Sequence, residues 1–131
     1  MITFMGLHHV SLAVRNLEKA RVFYSERLQL KEIQRPPFDS KGIWYAVGEQ
    51  QLHLLEHPGG DTLRERGIDT IDGHLSVWVK SYQETKDWLD QQEIPYEARP
   101  DSIAGFAQIY VLDPDRNIIE FGAPYHETDH L

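Results

Sequence analysis

The sequence contains no cysteine. Disulfide bridges, thiolate metal ligands and a cysteine nucleophile are therefore excluded. Positive charge is in the minority: 13 Lys and Arg stand against 21 Asp and Glu, a formal net charge of −8, and no basic run occurs anywhere. Such a surface repels a nucleic-acid backbone or an anionic membrane, so neither is expected as a partner. No apolar stretch approaches the roughly 20 residues that a membrane-spanning helix needs. No signal-peptide pattern accompanies Met1-Ile2-Thr3, and a cytoplasmic location is expected. With 131 residues, 40% of them hydrophobic and 26% charged, the chain has the length and composition of one soluble globular domain with a sizeable core.

What is present is a repeat. His9-Val10-Ser11-Leu12-Ala13-Val14 is echoed by His74-Leu75-Ser76-Val77-Trp78-Val79. The same offset pairs Asn16 with Ser81, Ala20 with Thr85, Phe23 with Trp88 and Tyr24 with Leu89. A register held that long marks one module written twice. In each copy a strand comes first, with aliphatic residues on one parity and His and Ser on the other. In the first copy Asn16 caps a helix whose inner stripe is Leu17, Ala20, Phe23, Tyr24 and Leu28. Strands follow over residues 30–35 (ended by Pro36-Pro37), 42–47 and 51–56. In the second copy Ser81 and Glu84 form a capping box. The inner stripe is Tyr82, Thr85, Trp88, Leu89 and Gln92, and Pro95 ends the helix. Strands follow over 96–99, 106–112 and 118–121, with the turn Asp113-Pro114-Asp115-Arg116-Asn117 before the last. The order is βαβββ twice: module 1 at about 5–57, a linker at about 58–72 and module 2 at about 73–124. The segment after Pro124 carries no pattern and is expected to be loose.

Four side chains of ligand type occupy corresponding places in the two modules. His9 and His74 lie on the first strands, and His53 and Glu120 on the last, each opposed to its strand's aliphatic parity. If the two sheets curve around a shared cavity, all four point into it. Imidazole and carboxylate without thiolate suit a divalent first-row ion rather than a closed structural zinc site. A lone strand histidine is more often a hydrogen-bonded structural residue, and it is the fourfold match that outweighs that reading. His8 lies on the opposite parity and is assigned to packing or capping; His57, His126 and His130 are expected to be exposed. Glu56 has the wrong parity and reads as a solvated or interface charge, and Arg64-Glu65-Arg66 as a solvated turn. Trp44, Trp78, Tyr45, Phe106 and Tyr110 read as core, although Trp78 shares the parity of His74. No phosphate loop, H-E-x-x-H or nucleophile–base motif is present.

The residues 9–14, Asn16-Leu17-Glu18-Lys19-Ala20 leading to Phe23-Tyr24, Gly73-His74-Leu75-Ser76-Val77 and Leu112-Asp113-Pro114-Asp115-Arg116-Asn117-Ile118-Ile119-Glu120 together resemble the vicinal oxygen chelate superfamily. That superfamily includes glyoxalase I, bleomycin-resistance proteins, fosfomycin-resistance transferases, methylmalonyl-CoA epimerase and extradiol dioxygenases. The resemblance spans about residues 6–124. It implies an α+β glyoxalase-like fold, two βαβββ modules whose curved mixed sheets surround a metal-binding cup. It also implies that His9, His74 and Glu120 bind one divalent ion per site: Zn, Ni, Co, Mn or Fe(II). His53 falls where glyoxalase I carries a glutamate, so it is the expected fourth ligand and, with Glu120, the expected proton carrier. The implied function is a metal-dependent isomerase or lyase acting on a small oxygenated substrate by proton transfer. The alternatives are an Fe(II)-dependent extradiol-type dioxygenase and a metal-free antibiotic-binding resistance protein. Small members of the superfamily are commonly homodimers, which implies two sites shared between chains. One scaffold hosts many reactions, so the fold alone selects none of them.

Overall fold

In the computed structural model, the described residues are 1–59 and 67–126. Arg64-Glu65-Arg66 and His130 lie outside them. The chain divides into two compact units, Met1–Thr62 and Leu63–Leu131.

The first unit runs β1 (His9–Val14), α1 (Leu17–Arg21) with a π-helical continuation (Val22–Arg27), β2 (Lys31–Ile33), β3 (Gly42–Val47) and β4 (Gln50–Glu56). Its sheet has the order β1-β4-β3-β2, with β1 parallel to β4 and the other pairs antiparallel. The Asn16 side chain accepts from the Lys19 N–H at 3.0 Å, as its capping position predicts. A second cap comes from Glu56, whose Oε2 accepts from the Leu17 N–H at 3.0 Å. Glu56 is thus not a solvated charge: β4 delivers its carboxylate to the positive end of the helix. The helix widens where Leu28 N–H reaches back to the Phe23 carbonyl, an i→i+5 bond. Leu17, Ala20, Phe23 and Tyr24 are buried against Val14, Ile43, Tyr45, Leu52 and Leu54 of the sheet, whereas Leu28 is only half-buried. The wider turn brings the consecutive aromatics Phe23 and Tyr24 closer in angle, so both reach the core. Helical spacing alone did not predict that widening.

The second unit repeats the plan with β5 (Leu75–Trp78), α2 (Tyr82–Gln91), β6 (Glu97–Arg99), β7 (Ala107–Leu112) and β8 (Ile118–Ala123), in sheet order β5-β8-β7-β6. Ser81 Oγ accepts from Glu84 N–H at 3.1 Å. Of the expected inner stripe only Leu89 is fully buried; Tyr82, Thr85, Trp88 and Gln92 are half-buried. The helix stops before Pro95. Its last turn closes through Glu93 at φ 56° and the bond from Ile94 N–H to the Leu89 carbonyl. In the Asp-Pro-Asp turn, buried Asp113 accepts from the Asp115 and Asn117 N–H groups, both at 2.8 Å, and from Asn117 Nδ2 at 2.9 Å. The most distinctive motif of the sequence is therefore a structural hinge that aims β8.

Both sheets are two-sided in the same way. Aliphatic residues face the helix, and the parity that carries His9, His53 and Glu120 forms the opposite, mostly polar face. On that face the two registers match: Ser11 and Trp44 flank His53, and Ser76 and Tyr110 flank Glu120. Among the described residues, no helix is long and apolar enough to cross a membrane.

Candidate functional site

On the polar face of the first unit the rings form a pile. His53 is 6% exposed. Trp44 covers one side of it, with centroids 3.9 Å apart and planes 2° apart, and His9 covers the other at 4.1 Å and 18°. The His53 Nε2 meets Gln51 Oε1 at 2.8 Å. An amide oxygen only accepts, so Nε2 carries the proton and the neutral ring leaves Nδ1 bare. Burial first, and then the neighbouring His9, His8 and Arg35, hold the His53 pKa below the ordinary imidazole value. His8 joins this cluster: its Nδ1 lies 2.8 Å from His9 Nδ1, and its ring stands edge-on to His53 at 6.5 Å. Opposite parity did not keep it away, because β1 begins only at His9 and strand alternation does not extend to residue 8.

On the polar face of the second unit a histidine meets a buried carboxylate, and a chain of contacts supports the pair. His74 sits one residue before β5, and its Nε2 lies 2.9 Å from Glu120 Oε1. Its Nδ1 lies 2.8 Å from the Asp72 backbone carbonyl. A carbonyl accepts, so Nδ1–H donates to it and fixes the ring with Nε2 facing the carboxylate. Glu120, 4% exposed, accepts from Gln108 Nε2 at 3.2 Å through its other oxygen. Gln108 Oε1 in turn accepts from Ser102 Oγ at 2.6 Å. Tyr110 hydrogen-bonds to Glu120 and meets the His74 ring edge-on at 5.8 Å. Burial, then the charge of Glu120, pushes the Tyr110 phenol up.

The four expected site residues therefore occur as two pairs, His9 with His53 and His74 with Glu120. Among the described residues, no group of three or more His, Asp or Glu side chains is gathered in a metal-holding arrangement. His57 and His126 are exposed, as expected. Of the aromatics assigned to the core, Tyr45 and Tyr110 are buried there, at 0% and 3% exposure, Tyr110 alongside Glu120, whereas Trp44 is half-buried over His53 on the polar face. Trp78 is 59% exposed and Phe106 is half-buried, so neither is core. The signal for Trp44 was available, because adjacent Trp44 and Tyr45 on one strand must face opposite ways. Gln51, Gln108 and the Asp72 carbonyl had no such signal, since cross-strand register and a loop carbonyl's direction are not written in spacing.

The His74 Nε2 beside a carboxylate oxygen passes a simple test of fit to a divalent ion. Metal-bound imidazole typically donates its other N–H to a carbonyl or carboxylate. Two donors about 2.1 Å from one ion, at right angles to each other, lie about 3 Å apart. The pair in the second unit meets both conditions.

Residues 6–121 match the Glyoxalase/Bleomycin resistance protein/Dioxygenase superfamily, and the chain belongs to it. Solved structures agree on the fold. A protein from Bacillus anthracis assigned to the glyoxalase family is 26% identical, with a TM-score of 0.77 over 95% of this chain and 98% of that one. The fosfomycin resistance protein FosX from Listeria monocytogenes is 23% identical, with a TM-score of 0.71 over 92% and 94%. Lactoylglutathione lyase from Agrobacterium tumefaciens is 20% identical, with a TM-score of 0.67 over 92% and 94%. The latter two likenesses speak for the fold alone. A variant of FosX has been solved with Mn(II) and 1S,2S-dihydroxypropylphosphonic acid.

Proposed function

We propose that the protein is a metal-dependent, glyoxalase-like isomerase or lyase that moves a proton on a small substrate bearing two neighbouring oxygens. The observation that carries this reading is the His74–Glu120 pair, with Nδ1–H on the Asp72 carbonyl and Nε2 2.9 Å from Oε1. His74, Glu120 and His9 would hold one divalent ion, with His53 as the fourth member of the set. When bound, that ion supplies Lewis-acid polarisation of the substrate oxygens. Gln108 and Tyr110 fix the Glu120 carboxylate from behind, so that it presents one oxygen forward. His53, stacked on Trp44 with its Nε2–H on Gln51, offers a bare nitrogen in a fixed plane to take or return the proton. The two pairs come together between chains: a homodimer with two equivalent sites, each taking His9 and His53 from one protomer and His74 and Glu120 from its partner. Such an isologous arrangement closes on itself.

One observation favours a second reading. The Gln51 contact engages His53 Nε2, which leaves His9, His74 and Glu120 as a two-histidine, one-carboxylate set of the kind that serves Fe(II)-dependent extradiol-type oxygenation.

Metal analysis of protein purified without chelator tests the site. About one divalent ion per chain is expected, and Glu120→Ala should abolish binding while leaving the fold intact. A Glu120→Ala protein that holds metal as tightly as the parent would sink the ligand assignment. An anaerobic assay on any accepted substrate separates the two chemistries. Turnover that requires dissolved oxygen and Fe(II), and stops with Zn, Ni or Co, would replace proton transfer by oxygenation.

A further inference from the structure

We infer that Trp78, propped by Phe106, is the substrate-sorting wall of this site, and that the substrate carries a planar aromatic or unsaturated group beside its two chelating oxygens. The inference rests on the metal-site reading above and names the substrate class for it.

Trp78 is the largest side chain type in the chain, yet it is 59% exposed. It follows His74 and Ser76 along the same polar face. In the register Ser76 pairs with Glu120, and Trp78 pairs with Gly122. The indole is thus one two-residue step along the strand from the carboxylate, about 7 Å at ordinary strand rise. That is about the span from a chelating oxygen pair to the far side of an attached six-membered ring.

The indole is built into place from behind. A Cβ on Gly122 would come within 3.1 Å of Trp78 Cζ3 and 3.2 Å of Phe106 Cδ2. Glycine is what allows the two rings to lie down against β8. Phe106 meets the indole edge-on, with centroids 4.9 Å apart and planes 71° apart. One side of the Trp78 ring therefore has protein support, and its exposure is on the rest. A supported, solvent-facing indole beside convergent polar groups is the make-up of a small-molecule site. The corresponding residue of the first unit is Ala13, so the wall is not a requirement of the βαβββ plan. Because the indole stands one strand step from the His74–Glu120 pair on the same face, its occupant is the body of the molecule whose oxygens face that pair.

The test uses the 131-residue protein loaded with Co(II), titrated with acetohydroxamate and benzohydroxamate. Both probes chelate through two neighbouring oxygens, and only the second carries a ring. Binding is read from the cobalt absorption bands, and each affinity is normalised to that of the same hydroxamate for free Co(II). Benzohydroxamate should be favoured about tenfold, the worth of one good aromatic contact. Trp78→Ala should bring the ratio close to one and Trp78→Phe should keep most of it. Gly122→Ala, which lifts the indole without deleting it, should lower the ratio. Equal normalised affinities in the parent, or a preference that survives Trp78→Ala, would overturn the wall while leaving the metal reading standing. A cobalt spectrum that answers to neither hydroxamate would bring down the metal reading and the wall with it. Conversion of a dimer to a monomer by Trp78→Ala would reassign the indole to a subunit contact and overturn the inference.

Discussion

The two polar faces share one register and were filled in opposite ways. In the first unit the residue between Ser11 and Trp44 is His53, clamped between two rings and tied to Gln51. In the second the residue between Ser76 and Tyr110 is Glu120, held by hydrogen bonds from Gln108 and Tyr110 and facing His74. One plan thus produced a stacked, desolvated imidazole and a buried carboxylate. A histidine that is kept neutral tolerates apolar neighbours, because burial costs it little. A buried carboxylate does not, so the β7 partner had to be a hydroxyl and the neighbouring residue an amide. The difference teaches that the repeat fixed the positions and that each side chain then recruited its own surroundings.

The largest effect available separates a shared site from two separate half-sites. Mixing His9→Ala subunits with His74→Ala subunits should regenerate one intact metal site per heterodimer, read by metal titration against either homodimer. Recovery of none would place each site within a single chain. Next comes the inequality of the two faces toward metal. His74→Ala should weaken binding by more than about 100-fold, and His53→Ala by only about tenfold, the range in which supporting residues usually act. Equal losses would make His53 a full ligand. A smaller effect concerns the pile itself. Trp44→Ala should destabilise the protein by about 2 kcal/mol in urea unfolding, since it removes a half-buried ring and one stacked face of His53. A loss within error would mean that His53 is held without help from Trp44. Tyr45 supplies the smallest effect. It is fully buried on the helix side of β3 and bonded to Ser25 at 2.7 Å, and burial pushes its phenol up. The folded chain then keeps a proton that the unfolded chain releases near pH ~10. Stability is therefore undiminished below about pH 10 and falls as pH rises above it. Tyr45→Phe should make that alkaline decline shallower, Tyr110 keeping its own part of it, and an unchanged slope in urea unfolding between pH 9 and 11 would refute it.

The sequence by itself determined the βαβββ plan, its duplication and the parity of His9, His53 and Glu120, because strand alternation and helix caps are local properties that a few neighbouring residues fix. Asn16 and Ser81 cap as their residue types require. The element ends were less legible: β2 is Lys31–Ile33 rather than 30–35, and β8 continues to Ala123. Those limits depend on where a partner strand stops supplying hydrogen bonds. Only the tertiary structure decided that Glu56 would cap α1, that Trp44 would cover His53, and that Asp72 would turn its carbonyl to His74. Each of these contacts joins residues through strand register or a loop path, and no periodicity along a single chain encodes which atoms such a path will bring within 3 Å.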